Sequence, residues 1–310
     1  MIKIVNTGAG RVFDSEVIGT GSWVHLTDPT NEELESISEK LDVRMDFLRA
    51  ALDEEETVRI ENEDGQRLIL VDIPVVEPQH NAFLYNTLPL GIILTKDNVV
   101  TVCLEETNIV EDFWNGRVKN FDLDAQTRFI LQILYRNAKK YLQYLRQIDK
   151  ASTQVEDALH RSMKNRELIQ MLRLEKSLVF FSTSLKSNEM VLEKIMKTRF
   201  LQRTEDETDL LEDVIIENKQ AIEMCTIYRD ILSGTMDAFA SVISNNLNIV
   251  MKLLASITIV LSIPTMIASF WGMNVADLPF NTGFGFWPVV GIAGVATGIA
   301  TVILWRKKMF

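Results

Sequence analysis

The fold of this chain is decided by residues 253–275, which read LLASITIVLSIPTMIASFWGMNV. None of these residues is charged, and a helix of this length, at about 1.5 Å per residue, can cross the roughly 30 Å hydrocarbon core of a bilayer. A second uncharged run, residues 286–305, follows and ends at Arg306-Lys307-Lys308. We therefore expect two membrane spans, at about 251–271 and 286–305.

The interval 272–285 between these spans contains Asn, Asp, Pro and Gly. Such residues form turns and cannot face lipid, so we expect a loop. Lys252 precedes the first span and three basic residues follow the second, whereas the loop has none. Because Lys and Arg favour the cytoplasmic side, both termini are expected in the cytoplasm. Residues 1–10 lack the features of a secretory signal, so we expect a multi-pass protein of the cell membrane with its soluble part inside.

The residues before the spans divide near residue 125. In residues 1–125, short apolar runs alternate with a helical pattern that begins at Asp28-Pro29 and ends at Leu41. Two hairpins are predicted around Asp64-Gly65 and Asp97-Asn98. The predicted strands are 22–26, 58–62, 67–76, 88–94 and 99–104. This part of the chain therefore predicts a cytoplasmic α/β domain.

Residues 126–250 predict long helices, because no Pro or Gly occurs between Asp124 and Gly234. Breaks near Lys164-Asn165 and at 202–207 indicate three helices. The last would run from about Thr208 into the first span, over roughly 90 Å. We expect long stalk helices over 126–250 and a transmembrane domain over 251–310.

A line of small and polar side chains follows one side of this last helix into the first span. Its members recur in alternating steps of three and four residues, which marks one helix face. They are Asp237, Ser241, Ser244, Asn248, Met251, Ala255, Thr258, Ser262 and Thr265. We call this line the polar stripe.

The polar stripe has two interpretations. Two spans cannot enclose a water-filled path, so a pore would need several copies of the chain around a symmetry axis. The same spacing equally fits a dry contact between helices, since Ser and Thr hydrogen-bond across helices in lipid. Asp237 and Asn248, at the cytoplasmic end, favour a cation path.

The composition excludes several other classes of protein. The net charge of −11 argues against nucleic-acid binding, which needs Lys and Arg to neutralise phosphates. Cys103 and Cys225 lie in apolar runs and are expected to be buried thiols, and the three histidines lack zinc-site spacing. We find no nucleophile elbow and no nucleotide loop, so an enzyme is not expected. The acid-rich residues 205–223 fit either metal sensing or an ordinary solvated helix face.

Gly272-Met273-Asn274, placed between a first span and a short loop with a second span and basic tail, resembles the signature of the CorA family of magnesium channels. The likeness covers essentially the whole chain and includes residues 52–59, 93–96, 228–234 and 248–252. It implies a funnel-shaped homopentamer with a long stalk helix that continues into the pore-lining span. Trp271, Val275 and the position of Pro264 depart from the family pattern.

The resemblance also implies roles for individual residues. Gly272, Met273 and Asn274 would form the selectivity filter, where the Asn274 amide oxygens hold Mg²⁺ through its waters. The implied pore-lining residues are Asp237, Asn248, Met251, Leu254, Thr258, Ser262 and Thr265. Asp213 would bind regulatory Mg²⁺ between subunits, with Glu77 as its potential partner.

Mg²⁺ is thus expected as substrate and regulator, with no organic cofactor, and the partners are the lipid bilayer and further copies of the chain. Two alternatives stay open at this point. One is a zinc, cobalt or nickel transporter of the same superfamily. The other is a membrane-tethered scaffold or sensor that conducts nothing.

Overall fold

The structure is a computed structural model that describes residues 1–8, 11–79, 82–119, 121–162, 165–273 and 286–307. The chain forms two compact units, Met1–Thr235 and Met236–Phe310. We describe each unit by itself.

The first unit contains a seven-stranded sheet with the order β2-β1-β3-β7-β6-β5-β4. Its strands are β1 Ile2–Gly8, β2 Arg11–Ser15, β3 Trp23–Thr27, β4 Arg59–Glu63, β5 Gln66–Gln79, β6 Ala82–Leu94 and β7 Val99–Cys103. Only the β3–β7 pair is parallel among the described pairings. The two predicted hairpins, β4–β5 and β6–β7, are confirmed as antiparallel pairs. Asp64 and Gly65 both have positive φ, which is the backbone that a tight hairpin turn requires.

The predicted bounds of the strands 67–76 and 88–94 were wrong where β5 pairs with β6. β5 and β6 pair with each other from Arg67–Leu94 as far as Gln79–Ala82, well beyond the predicted ends at Val76 and Leu88. The added residues mix apolar with polar side chains, from buried Tyr85 to exposed Phe83, so they show no continuous apolar run. Cross-strand pairing holds them in the sheet.

The helices of this unit cover both faces of the sheet. α1 Asn31–Leu41 and α2 Met45–Ala50 pack on one face, and α3 Asn108–Trp114, α4 Gln126–Ser162, α5 Asn165–Lys197 and the first turns of α6 Glu205–Trp271 pack on the other. Alternate strand residues enter the two cores, as the two-residue period requires: Ile69 and Val71 on one side, Leu68 and Leu70 on the other. α1 begins later than predicted because Thr30 and Glu33 form a capping box.

Buried amides attach α4 and α5 to the middle of β5. Pro89, opposite Asp72, has no N–H to donate to the sheet. The Asp72 carbonyl oxygen instead accepts from Asn137 Nδ2 and Asn188 Nδ2, each at 2.8 Å, while Asn188 Oδ1 accepts from Asp72 N at 2.9 Å. These bonds fix how α4 rotates on the sheet.

The predicted breaks between the long helices are confirmed, since α4 ends at Ser162 and α6 begins at Glu205. In the second unit, α6 continues through Pro264 to Trp271, and α7 covers Phe286–Arg306. Both helices contain stretches that are long and apolar enough to cross a membrane. The predicted α/β domain followed by long helices and two apolar C-terminal helices is therefore confirmed.

Candidate ion pathway

The polar stripe lies entirely on α6, and all nine of its residues are exposed in the single chain. Met251 and the adjacent Leu254 are 56% and 57% exposed. No residue of the stripe is charged after Asp237. The stripe is therefore a mostly polar line, uncharged beyond Asp237, that no other described residue of the same chain covers.

The side of α6 that is less exposed carries a different set of residues. Ser256 is fully buried, and Val260, Ile263, Ile267 and Trp271 are partly covered. At about 100° per residue, this set and the stripe residues between 251 and 265 lie on opposite sides of α6, roughly 160° apart.

α7 lies on the covered side of α6. Pro264, Ala268 and Trp271 line one cavity together with α7 residues that include Val290 and Ala293. The stripe is therefore not the contact between the two membrane helices of one chain. What remains for it is lipid, another copy, or water.

The hydroxyl groups of the stripe share one local geometry. Thr258 Oγ1 donates to the Leu254 carbonyl oxygen, and Thr265 Oγ1 donates to the Leu261 carbonyl oxygen, each at 2.9 Å. Ser262 Oγ donates to the Ile259 carbonyl oxygen, also at 2.9 Å. Because each hydroxyl hydrogen is used inside the helix, each oxygen keeps its lone pairs as acceptors. Such a line offers acceptors to an outside donor without any formal charge.

The first two residues of the predicted filter lie at the end of α6. Gly272 N donates to the Ala268 carbonyl oxygen at 2.9 Å, and Met273 follows with half of its surface exposed. A Cβ at Gly272 would lie 3.3 Å from that same carbonyl oxygen, which is a tight contact. Asn274, the third residue of the filter, lies outside the described residues.

The two predicted regulatory residues lie on different elements of the first unit. Asp213 is exposed on α6, while Glu77 lies on β5, where its Oε1 accepts from Asn86 Nδ2 at 3.2 Å. Among the residues that the structure describes, no three His, Cys, Asp or Glu side chains are placed to hold a metal.

Two acidic residues near the start of α6 have structural partners. Glu207 forms a reciprocal cap with Thr204, whose backbone N donates to Glu207 Oε2 at 2.7 Å. Glu217 forms an ion pair with Lys139. For these two residues the structure supports the plain interpretation of the acid-rich segment, and Asp213 stays exposed.

Comparison with known proteins places the chain in one family. The model of the CorA-like Mg²⁺ transporter protein family matches residues 19–308. The cobalt/magnesium transport protein CorA of Methanocaldococcus jannaschii is 27% identical over 296 residues, which cover 92% of this chain and 90% of that protein. The protein of the same name from Thermotoga maritima is 34% identical over 97 residues, or 31% of this chain and 28% of that protein.

The fold agrees with this assignment. The complete structure of the CorA magnesium transporter from Methanocaldococcus jannaschii superposes with a TM-score of 0.85 at 24% identity, covering 98% of this chain and 96% of the other. The expected resemblance is confirmed, because the family model spans nearly all of the sequence, membrane helices included. This protein belongs to the family of CorA-like Mg²⁺ transporter proteins.

Proposed function

We propose that the chain transports Mg²⁺ across the cell membrane as one subunit of a homopentameric, funnel-shaped channel with both termini in the cytoplasm. The observation that carries this proposal is the polar stripe on the side of α6 opposite α7. A ring of copies with α7 outermost would turn the stripe of each α6 toward a common axis. In the same ring, the apolar residues of α7 would face lipid.

The chemistry of the stripe suits a hydrated divalent cation. Mg²⁺ releases its waters reluctantly, and those waters point their hydrogens outward. The oxygens of Thr258, Ser262 and Thr265 are acceptors for such hydrogens, because their own hydrogens bond within α6. An uncharged lining holds the ion weakly enough for it to leave again.

Selection and entry take place at Gly272-Met273-Asn274. A ring of Asn274 amide oxygens would receive the ion through its water shell, before any dehydration. Gly272 N still donates to the Ala268 carbonyl oxygen, so the helical hydrogen bonding of α6 extends to the first residue of the filter. The inward-negative potential contributes about 2.3 kcal/mol per charge per 100 mV, or about 4.6 kcal/mol for Mg²⁺. Transport then needs neither a nucleotide nor an organic cofactor.

The gate lies at Met251 and Leu254, and Asp237 rings the cytoplasmic mouth. The two apolar side chains project on the stripe side of α6, where a narrow apolar ring would close by losing its water. Asp213 binds cytoplasmic Mg²⁺ at the contact between neighbouring copies, with Glu77 as a potential partner. Loss of this metal leaves carboxylates facing each other across the contact, and their repulsion favours opening.

Cobalt is a second substrate that the comparisons favour, since two relatives are named cobalt/magnesium transport proteins. Co²⁺ would use the same filter and the same line of acceptors. Competition between Co²⁺ and Mg²⁺ in one flux assay measures which ion the channel prefers.

Mg²⁺ uptake into proteoliposomes tests the proposal with two variants. Asn274→Ala removes the amide of the filter and should reduce the uptake rate at least tenfold. Asn281→Ala, in the same loop, is the matched control and should retain the wild-type rate. Equal uptake by wild type and Asn274→Ala would disprove the filter. A wild-type protein that passes no ion would be a scaffold or sensor.

A further inference from the structure

A cavity of about 190 Å³ lies between α3 and α4 in the first unit. Its polar lining consists chiefly of Asn108, Asp112, Arg136, Lys139, Lys140 and Gln143. Four of these residues follow one face of α4 at helical spacing, and the other two lie on α3. No residue of the proposed ion pathway lines this cavity.

The charge of this cavity is opposite to that of the protein. Arg136, Lys139 and Lys140 supply three positive charges against one lining carboxylate, Asp112, in a chain with a net charge of −11. Arg136 and Lys140 are four residues apart on one helix, where like charges destabilise the helix. Such an arrangement requires compensation from outside the helix.

The described partners compensate these charges incompletely. Asp112 forms an ion pair with Arg136, but it also pairs with Arg117 at 3.0 Å. Arg136 Nε is buried and has no hydrogen-bond partner among the described residues. Lys139 pairs with Glu217.

Lys140 has the least compensation of the three. Its ammonium lies 4.9 Å from the centre of the Tyr144 ring. No carboxylate in the described part of the chain lies within ion-pair distance of it. Burial, together with the charge of Arg136, lowers the pKa of Lys140, and burial also lowers that of Arg136.

We propose that this cavity binds a phosphate-bearing anion, with Arg136 and Lys140 as its principal ligands. Guanidinium and ammonium groups are the usual protein partners of phosphate oxygens. The amides of Asn108 and Gln143 add neutral donors. The volume is below the 300–1,000 Å³ of typical organic-ligand pockets, so it suits a short phosphate chain and not a whole nucleotide. The proposal is independent of ion conduction.

Isothermal titration of the full-length protein in detergent, in metal-free buffer, tests this site with sodium pyrophosphate. Sodium chloride at equal ionic strength is the reference, because it measures non-specific screening. We expect saturable binding of one pyrophosphate per chain. A parallel titration with ATP distinguishes a free phosphate chain from the phosphates of a nucleotide, and binding of either one supports the site.

Lysine variants locate the bound anion. Lys140→Gln should weaken pyrophosphate binding about tenfold, because it removes a charge-assisted hydrogen bond. Lys140→Arg should remain within about threefold of the wild type. Lys176→Gln is the matched control, since Lys176 also lies over an aromatic ring four residues further on, at 5.3 Å from Phe180, but does not line the cavity.

Asp112→Asn should have the opposite effect and tighten pyrophosphate binding several-fold, because it removes the carboxylate that competes with the anion for Arg136. Thermal unfolding of each variant checks that the fold is retained. The proposal is overturned if the wild type shows no saturable binding above the chloride reference. Equal weakening by Lys140→Gln and Lys176→Gln, or weaker binding by a folded Asp112→Asn, also overturns it.

Discussion

Thr258→Val distinguishes a hydroxyl that lines an ion path from one that only serves its helix. Thr258 Oγ1 donates to the Leu254 carbonyl oxygen at 2.9 Å and lies on the polar stripe. Thr301 on α7 makes the same local bond, to the Thr297 carbonyl oxygen at 2.8 Å, and lies outside the stripe. Valine keeps the shape of threonine and removes the hydroxyl. The two variants therefore differ in position and not in chemistry.

The magnitude follows from the two roles of the hydroxyl. Loss of a hydroxyl that bonds its own helix should change stability by at most about 0.5 kcal/mol in both variants, since the carbonyl keeps its backbone partner. A hydrogen bond from ion-bound water contributes about 1 kcal/mol net. If the hydrated ion contacts the Thr258 hydroxyls of two copies at once, their loss raises the barrier by about 2 kcal/mol. That corresponds to roughly 30-fold slower flux.

The assay is Mg²⁺ uptake into vesicles that hold a Mg²⁺-sensitive dye, at equal protein incorporation. Thr258→Val should be about 30-fold slower than wild type. Thr301→Val should stay within about twofold. The same rate for the two variants would refute the assignment of Thr258 to the ion path, and with it the orientation of α6 toward a common axis.

Three further predictions concern regulation and stability. In Asp213→Ala, the internal Mg²⁺ concentration that inhibits the flux by half should rise several-fold. If that concentration is unchanged, Asp213 is not the sensor. Gly91→Ala should destabilise the first unit by about 1–3 kcal/mol in thermal unfolding, because its Cβ would lie 2.7 Å from Ala51 Cβ. Gly234→Ala, with nothing within 4 Å of the new Cβ, should not destabilise it, and equal losses would refute the packing argument. Burial lowers the pKa of His25 from 6.5 to about 3, so the unfolded chain takes up the proton first. The contribution of neutral His25 to the free energy of unfolding is fully present above pH 6.5. It should fall by about 2 kcal/mol by pH 5 in urea unfolding, and the His25→Gln variant should not show this loss.

Local chemistry made much of the fold predictable. Asp64-Gly65 identified a hairpin because both residues adopt positive φ with little strain. The stripe period and the absence of Pro and Gly identified the long helices. By contrast, β1 and β2 were not predicted, since Phe13 on the edge strand is half exposed and the apolar alternation is short. The parallel pairing of β3 with β7 joins Trp23 to Val99, and no local pattern encodes such a distant contact.

The candidate ion pathway was predictable only in part. The periodicity of α6 identified the stripe, but it did not predict which side of α6 would contact α7. That side includes a buried polar residue, Ser256, so polarity alone did not separate the two faces of the helix. The basic cavity was not predicted either. Two positive charges four residues apart, at Arg136 and Lys140, are the only sign of it in the sequence. An ordinary solvated helix face has the same pattern, and the cavity becomes evident only when α3 packs against α4.

Mg²⁺ permeation through the wild-type chain is tested most directly by uptake into proteoliposomes held at an internal potential of −100 mV and at zero potential. The potential of −100 mV favours entry of a divalent ion by about 4.6 kcal/mol. This energy corresponds to an equilibrium accumulation inside the vesicle on the order of 2,000-fold. A channel predicts rapid uptake that accelerates at −100 mV. Uptake no faster than in protein-free vesicles at both potentials would contradict the assignment of this chain as a Mg²⁺ channel.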